Sequence, residues 1–409
     1  MSALHNAIDC TTAPANTGAP LRVLVCRQWA ELEAFRTDWN HLLQICSSAS
    51  IFQTPEWLGA WWHAFGAKKQ LLAVIFINAD GETVGLAPLY IEEHSFFGMP
   101  MKVLRMVGAG SGDSDALDFI TASGYEEACA NAFLSWLNEN PDWDICALET
   151  LPEHSRTARY ISYERQTPDW RMYSDSTPNF LIDLPATWSE YLQRLESGFR
   201  PLLTRYPRRL QSRYTVSIQR CEREEELDSA LQTLFTLHQM RWTGLGKPGA
   251  FSVAERQEFY FRMAHAFLER GWLEFWLLKL EQEIVAAQFC FRYGNTVSLL
   301  QEGFNPKYIA DKVGYALRAH VLEEMIRSGA TRYDFLGGAD AYKVKFGAKQ
   351  GCYVTLRFAG ASWRGRAYLA LQHQKQKIKQ WLRRRLPAGI LASLGSQQAS
   401  AAQQKESTE

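Results

Sequence analysis

The stretch 296-TVSLLQEGFNPKYIADKVGYALRAHVLEEMIRSGATRYDF-335 changes its hydrophobic pattern twice, and these changes decide the fold. Residues 296–304 form a short apolar run that indicates a strand, and Asn305-Pro306 ends it. From 313 to 329, apolar side chains recur at helical spacing, and 332–337 is a second short apolar run. The stretch therefore predicts strand, loop, helix and strand, with Gly314 where the loop becomes the helix.

The composition is that of an ordinary globular protein with room for two domains. The chain has 409 residues, of which 46% are hydrophobic and 22% charged, and its formal net charge is zero. A neutral chain has no global field that recruits polyanions, so nucleic acid is not expected as a partner.

The spacing of cysteine and histidine indicates neither a disulfide framework nor a metal site. The eight cysteines contain no Cys-x-x-Cys pair, and the nine histidines do not cluster at ligand spacing. The first twenty residues lack the pattern of a secretory signal, and the apolar run at 71–77 is far shorter than the roughly 20 residues that cross a bilayer. We therefore expect reduced thiols, no metal and a cytoplasmic protein.

The order of predicted elements occurs twice along the chain. Each half contains an apolar hairpin, a third strand, a helix and a strand with an aromatic-Asp pair. These elements lie at 71–93, 101–108, 124–140 and 143–149 in the first half, and at 272–294, 296–304, 313–329 and 332–337 in the second. This repetition predicts two copies of one α+β unit, meeting around a linker and helical segment at about 150–235. The alternative is coincidence, because any α+β protein alternates hairpins and helices.

Three segments of the second half resemble a known family. They are LHQMRWTGLGKPGAF at 237–251, GFNPKY at 303–308 and DFLGGADAYKVKFG at 334–347. Together with the opening stretch they resemble the GNAT acyltransferase superfamily, and within it the CelD-like family of cellulose and exopolysaccharide biosynthesis. The architecture is also similar to that of Fem-type transferases, which carry two GNAT-like units.

The resemblance implies an α+β fold with two tandem GNAT-like units, each a mixed, mostly antiparallel sheet flanked by helices. We expect the chain to divide as follows: a disordered N-terminus at 1–20, a first, degenerate unit at 21–185, a second unit with the acyl-donor site at 186–362, a basic helix at 363–388 and a disordered tail at 389–409.

The resemblance also implies a site for acetyl-CoA, or another acyl-CoA, at the start of the helix that begins near Gly314. The unpaired amides of a first helical turn and the helix dipole attract phosphate, and glycine lets the anion approach the backbone. The residues expected to form this cradle are Lys312, Val313, Gly314, Tyr315 and Ala316. Lys312 stands where the family has the first of two glycines, so its side chain either contacts phosphate or obstructs the cradle. The alternative for Gly314 is a helix-start glycine without a chemical role.

Acyl transfer needs a base for the nucleophile and an acid for the leaving group. The candidate bases are Glu302, Asp334 and Asp340, and Tyr342 is the candidate acid. Burial in an apolar strand would raise the pKa of Asp334, but a structural carboxylate bonded to backbone is the alternative. For Asp340 the alternative is a helix N-cap, and for Tyr342 it is packing on the sheet.

Substrate contacts are expected from Lys343, His238 and Arg241. A lysine or arginine suits a phosphate, a carboxylate or an anionic sugar, and His238 and Arg241 lie one turn apart on a predicted helix. The alternatives are a solvated lysine and a histidine satisfied within the fold. Trp57, Trp61 and Trp62 suggest either sugar stacking or, more simply, a packing face.

The segment RGRAYLALQHQKQKIKQWLRRRLP at 364–387 contains eight Lys or Arg and no acid, and it predicts a basic helix. Such a helix suits an anionic membrane surface or a synthase partner through 364–385, which would place the protein peripherally at the inner membrane face. The alternative is a C-terminal helix whose apolar stripe packs on the second unit.

From these observations we expect an N- or O-acyltransferase that transfers an acyl group from acyl-CoA, with acetyl the first candidate. The acceptor would be an amine or hydroxyl of a small molecule, a sugar, a polysaccharide or a cell-envelope precursor. The alternatives are a Fem-like transferase that uses aminoacyl-tRNA and a non-catalytic accessory protein of a polysaccharide synthase.

Overall fold

The computed structural model describes residues 20–163, 170–243, 249–338 and 341–385, and its fold is mixed α/β with two sheets flanked by helices. The strands are β1 Arg22–Cys26, β2 Gln70–Leu71, β3 Ala73–Ile77, β4 Thr83–Ala87, β5 Leu89–Phe96, β6 Met99–Met106, β7 Ile120–Thr121, β8 Ile145–Pro152, β9 Arg171–Asp183, β10 Val216–Arg220, β11 Leu273–Leu280, β12 Glu283–Tyr293, β13 Thr296–Phe304, β14 Arg332–Gly337 and β15 Lys349–Ala359.

The helices cover both sheets. They are α1 Trp29–Glu33, α2 Arg36–Ile45, α3 Pro55–Phe65, α4 Glu126–Glu139, α5 Arg156–Tyr163, α6 Trp188–Arg194, α7 Arg200–Gln211, α8 Glu224–Thr243, α9 Ala254–Glu269, α10 Val313–Arg327, α11 Ala341–Lys345 and α12 Trp363–Arg385. Short 3₁₀ turns lie at Ile51–Gln53, Ala250–Ser252 and Pro306–Asp311.

The two halves of the chain repeat one topology. In the second half, β10 to β13 pair antiparallel in sequence order, α10 follows, and β14 returns parallel to β13. In the first half, β1 pairs with β3, β3 with β4 and β5 with β6, all antiparallel, and after α4 the strand β8 returns parallel to β6. Each half also places two or more helices between its first and second strands. The predicted repetition is confirmed.

The hairpin of the first half differs from the prediction because both of its arms break. The chain continues from β2 into β3 across Leu72 and from β4 into β5 across Pro88, and at each break it passes from one sheet to the other. Pro88 has no N–H to donate to a ladder, whereas its carbonyl accepts from Val107 at 2.8 Å. The first unit is therefore divided between a four-stranded sheet and one end of an eleven-stranded sheet.

One sheet joins the two halves through β9 and β15. β9 lies between β14 and β15, and β15 pairs antiparallel with β8 of the first half. The segment expected to be linker and helix thus contains a 13-residue strand as well as α5, α6 and α7. The expected boundary between residues 185 and 186 stays a prediction, and β9, which precedes it, pairs on both sides with strands that follow it.

The halves also meet through helices α3 and α9. The Trp57 ring lies at 5.1 Å from Phe259 and at 6.0 Å from Phe267 of α9, and its Nε1–H donates to the Ser114 hydroxyl at 2.9 Å. At the end of α9, Arg270 binds the buried Glu56 carboxylate at 2.5 Å. Trp57 and Trp61 are at most 1% exposed, which confirms a packing face. Fully buried aromatic rings at this position hold the two units together.

Replacing Trp57 with alanine should lower the free energy of unfolding by about 3–5 kcal/mol, because it leaves a large cavity between α3 and α9 and deprives Ser114 of a donor. Trp363→Ala is the matched control, since that ring is 62% exposed, and it should change stability by less than about 0.5 kcal/mol. Urea denaturation measures both. Equal midpoints for the two variants would contradict this account of the interface.

Candidate active site

The site begins where β13 and β14 part. The two parallel strands pair only at Thr296–Arg332, Val297–Tyr333 and Ser298–Asp334. Beyond these pairs, 299–302 of β13 and 335–338 at the end of β14 line opposite walls of a cavity of about 490 Å³. A cavity that opens between two parting strands is a common place for a substrate.

The cavity is lined by segments from both halves of the chain. The loop between β6 and β7 contributes Asp113 and Asp115, and α8 contributes His238 and Trp242. Thr177 of β9 and Tyr342 and Lys343 of α11 also line the cavity. The first unit therefore supplies acidic groups to a cavity that opens in the second.

A second cavity of about 250 Å³ lies at the start of α10. Its lining includes Phe304, Lys312, Val313, Gly314 and Tyr315. Glu302 and Tyr342 line this cavity and the larger one as well. The two cavities therefore meet at these two side chains.

The backbone at the start of α10 has the form of an anion cradle. Lys312 is the residue before the helix and has φ 58°, a left-handed conformation that favours glycine. Its carbonyl accepts from the Ala316 amide at 3.0 Å, so that amide is engaged within the helix and the predicted cradle shortens to Val313, Gly314 and Tyr315. Ala316 itself is buried and lines neither of these two cavities. The first amides of a helix have no intrahelical partner, which leaves three donors at the cavity.

The surroundings of Gly314 leave space for a side chain, and its role in binding phosphate stays a prediction. A Cβ built on it would touch only the Phe304 ring, at an ordinary 3.6 Å, and otherwise enter the cavity. Packing within the protein does not require glycine at position 314. The absence of a Cβ there leaves space for a ligand at the start of α10.

The corresponding helix start in the first unit is filled by its own side chain. The Glu126 carboxylate at the start of α4 accepts from the Gly124 amide at 2.8 Å and binds Arg156 at 2.9 Å. Glu126 is 7% exposed. A carboxylate of the chain itself, paired with an arginine, therefore lies beside the start of α4.

Glu302 is held by a buried arginine. Its carboxylate pairs with the guanidinium of Arg318 on α10, which is only 3% exposed. The Tyr342 ring lies at 4.5 Å and the Phe346 ring at 4.9 Å from that guanidinium. Arg318 thus fixes the side chains of Glu302 and Tyr342 at the junction of the cavities.

Two other carboxyl groups sit at the end of β14. Burial raises the pKa of Asp334 to about 7, and the Asp334 Oδ1 accepts from the Leu336 amide at 2.7 Å. Burial likewise raises the pKa of Asp115 to about 6, and its Oδ2 accepts from the Gly337 amide at 2.7 Å. Both expectations for Asp334, the raised pKa and the backbone bond, are found together. Asp115 lines the large cavity, whereas Asp334 stands behind it on β14.

Lys343 is turned toward the backbone. Its ammonium, 3% exposed, donates to the carbonyls of Phe335 at 3.1 Å, Gly337 at 2.8 Å and Gly338 at 3.1 Å. These contacts favour a role in shaping the end of β14, and contact with substrate stays a prediction.

The remaining predicted residues divide in two groups. His238 and Tyr342 line the large cavity, and the His238 Nε2 accepts from Trp242 Nε1–H at 2.8 Å. Asp340 and the side chain of Arg241 lie outside the described residues, so their roles stay predictions.

Sequence reasoning missed Asp113 and Asp115. Their loop, VGAGSGDSDALDF at 107–119, follows β6, and the family resemblance is diffuse there. The available signal was the density of Gly, Ser and Asp directly after an apolar strand, which marks a loop able to present side chains.

Comparison with known proteins supports the assignment of the second unit. Residues 197–344 match the family model described as "Acetyltransferase (GNAT) domain", a range that includes the cradle, β13 and β14. No curated protein matches the sequence. Among solved structures, FemX is similar with a TM-score of 0.56 and 12% identity over 78% of this chain and 95% of that one. At this identity the likeness shows the fold alone.

Two further solved structures have weaker similarity. A tandem GNAT protein from the clavulanic acid biosynthesis pathway has a TM-score of 0.45 and 11% identity, covering 84% of this chain and 99% of that one. L-PGS from Bacillus licheniformis has a TM-score of 0.46 and 16% identity, covering 82% and 93%. The match to the GNAT domain model covers residues 197–344, and the narrower CelD-like assignment stays a prediction.

Two kinds of feature are absent from the part of the chain that the structure describes. No helix there is both long and apolar enough to cross a membrane. Nor do three or more His, Cys, Asp or Glu side chains converge there as ligands for a metal ion.

Asp334→Asn should reveal the buried carboxyl as a pH-dependent change in stability. The folded protein favours protonated Asp334, so this contribution is fully present below pH 4 and is lost as pH rises through about 7. The asparagine variant keeps an acceptor for Leu336 but has no charge to bury. Its unfolding free energy relative to wild type should therefore rise between pH 4 and 7, by about 1.4 kcal/mol per pKa unit at most.

Urea denaturation at several pH values measures this difference. Asp142→Asn is the control, because the Asp142 side chain is 83% exposed, and its difference from wild type should stay flat. A difference for Asp334→Asn that is constant from pH 4 to 8 would contradict the raised pKa.

Proposed function

We propose that the protein transfers an acyl group, acetyl being the first candidate, from acyl-CoA to an amine or hydroxyl of a sugar, polysaccharide or cell-envelope precursor. One observation carries this proposal: a cavity at the start of α10 and a larger cavity between β13 and β14 meet at Glu302 and Tyr342. Two cavities with a common wall suit a reaction that brings a donor and an acceptor together.

The donor would lie at α10. The amides of Val313, Gly314 and Tyr315 point to the end of the helix where positive potential favours a pyrophosphate. The missing Cβ of Gly314 keeps this place open, and Lys312 lines the same cavity. A bound acyl-CoA would supply the activated thioester, and the chain would supply its position.

The acceptor would lie in the larger cavity, with Asp115 as base. A base works best when its pKa is near the working pH, and Asp115 combines a pKa of about 6 with a place in the cavity wall. Asp113 is less suited, because its carboxylate is held by Arg256 at 2.9 Å and by the Tyr260 hydroxyl at 3.1 Å.

Tyr342 would complete the site as the acid. It lines both cavities, and the guanidinium of Arg318 lies over its ring. Its hydroxyl would give a proton to the leaving thiolate. Glu302, paired with Arg318, would position the substrates and would not itself exchange a proton.

Aminoacyl transfer in the manner of Fem-type proteins is the second candidate, because the fold is similar to that of FemX over most of the chain. The two candidates differ in their donor, and thermal shift separates them. Saturable stabilisation by CoA or acetyl-CoA supports the first, since a ligand of the folded state raises its stability. Stabilisation by aminoacyl-tRNA but not by CoA would support the second, and stabilisation by neither would favour an accessory protein.

Gly314→Ala should separate donor binding from folding. An alanine in the first turn of α10 costs no clash and favours the helix, so stability should stay equal or rise by up to about 1 kcal/mol. Its methyl group enters the cradle, so affinity for CoA should fall at least about tenfold. Isothermal titration calorimetry measures the affinity.

Gly198→Ala is the matched control, because a Cβ there meets nothing within 4 Å and Gly198 lines neither cavity. It should bind CoA as the wild type does. Unchanged CoA affinity in Gly314→Ala would remove the cradle from the proposal.

Asp115→Asn should lower kcat/KM by roughly 10²-fold or more while donor binding persists, because it removes a general base. In the wild type, kcat/KM should rise with pH through about 6 as Asp115 loses its proton, and this step should disappear in the variant. Release of CoA thiol from acetyl-CoA, with an acceptor found in a panel of amines and sugars, measures the rate.

Asp118→Asn is the control within the same loop. Burial raises the pKa of Asp118 to about 6 as well, but this residue does not line the cavity. It should keep both the rate and the pH step. If both variants lose activity equally, the loop is structural and Asp115 is not the base.

A further inference from the structure

Helix α12 packs on the sheet along one side only. Leu369 is 2% exposed in a cluster with strands β5, β6, β8 and β15, and the His373 ring lies 4.6 Å from Tyr173 of β9. Gly365 lies against the backbone of Asp144, where a Cβ would overlap its carbonyl. These three positions share one side of the helix, at 100° per residue.

The opposite side carries an apolar stripe that faces outward. Trp363 is 62% exposed, Leu371 44%, Ile378 57% and Trp381 52%. Their spacing of eight, seven and three residues places them within an arc of about 80°. The alternative was a C-terminal helix whose stripe packs on the second unit, and the exposure of Leu371 and Ile378 contradicts it.

The second half of α12 extends beyond the packed part. His373 is the last residue with a described ring contact to the sheet, and every described side chain from 374 to 381 is exposed. Lys375 and Lys377 flank the stripe there. The sequence places six of the helix's eight cations from Lys375 onward and no acid anywhere between 364 and 385.

A loop of the first unit adds to the same surface. Phe97, at the turn between β5 and β6, is 79% exposed. Phe96 beside it lies 4.7 Å from Phe97 and 5.6 Å from Tyr368 of α12. Phe97 therefore stands next to the helix that bears the stripe.

We propose that α12 and the Phe97 turn lie on the surface of an anionic phospholipid membrane. The outward stripe would enter the boundary between headgroups and acyl chains, and the flanking cations would meet lipid phosphates. Two tryptophans five helical turns apart suit this position, because indole rings favour the membrane interface.

Charge and shape favour this occupant over two others. A second copy of α12 would bring cations against cations, with no acid in the segment to pair them. RNA would neutralise the cations but leave the four apolar side chains of the stripe in water. Lipid satisfies both features at once.

Flotation of the full chain with vesicles tests the proposal. The wild type should float with vesicles containing about one third phosphatidylglycerol, and at least tenfold less with neutral phosphatidylcholine or at about 0.5 M NaCl. Wild type that stays in the soluble fraction with both vesicles would overturn it.

Two variants assign the surface. Leu371→Asp/Ile378→Asp should lose flotation at least tenfold while its thermal unfolding matches that of the wild type, because both side chains are exposed. Val253→Asp, an equally exposed apolar position at the start of α9, should float as the wild type does. If the double variant floats as the wild type does, the stripe does not bind the membrane. The same conclusion follows if Val253→Asp loses as much flotation as the double variant. CoA binding is measured on the same samples, so failure of this proposal and failure of the acyl-transfer proposal remain distinct.

Discussion

The separation of β13 from β14 is the constraint on which the site depends. A strand that leaves its partner must satisfy its backbone groups elsewhere, and the end of β14 does so with three side chains. The Lys343 ammonium donates to the carbonyls of residues 335–338. The Asp334 and Asp115 carboxyl groups accept from the amides of Leu336 and Gly337, respectively. These bonds satisfy the end of β14, and the bond from the Gly337 amide holds Asp115 in the cavity wall.

The two units share a topology but treat their helix starts in opposite ways. In the first unit, Glu126 fills the start of α4 and Arg156 neutralises it. In the second, the position before α10 is Lys312 and the first turn contains Gly314, so the helix start stays open and carries positive charge. The two helix starts differ in backbone as well, because Lys312 before α10 has φ 58° whereas Tyr125 before α4 has φ −103°. Under the proposed function, only the start of α10 serves as an anion site.

Local patterns in the sequence predicted the parts of the fold that local forces determine. Hydrophobic period, the Asn305-Pro306 break and Gly314 placed β13, α10 and β14, and the repeated order predicted the second copy. Contacts between distant segments were not predictable in this way. The sequence around Asp115 does not show that its carboxylate bonds to a residue 222 positions away. The sequence around Lys343 does not show that its ammonium donates to four backbone carbonyls. Likewise the sequence of β9, which contains Pro178, shows no strand pattern. Its strand conformation depends on pairing with β14 and β15.

The position of β15 has a consequence for synthesis on the ribosome. β8 is complete at Pro152, but its partner β15 begins about two hundred residues later, at Lys349. Until then β8 is an open edge, with backbone groups ready to pair with any other extended chain. Closure by so distant a strand makes folding slow to complete, and the nascent first half must be shielded from misassembly during that interval.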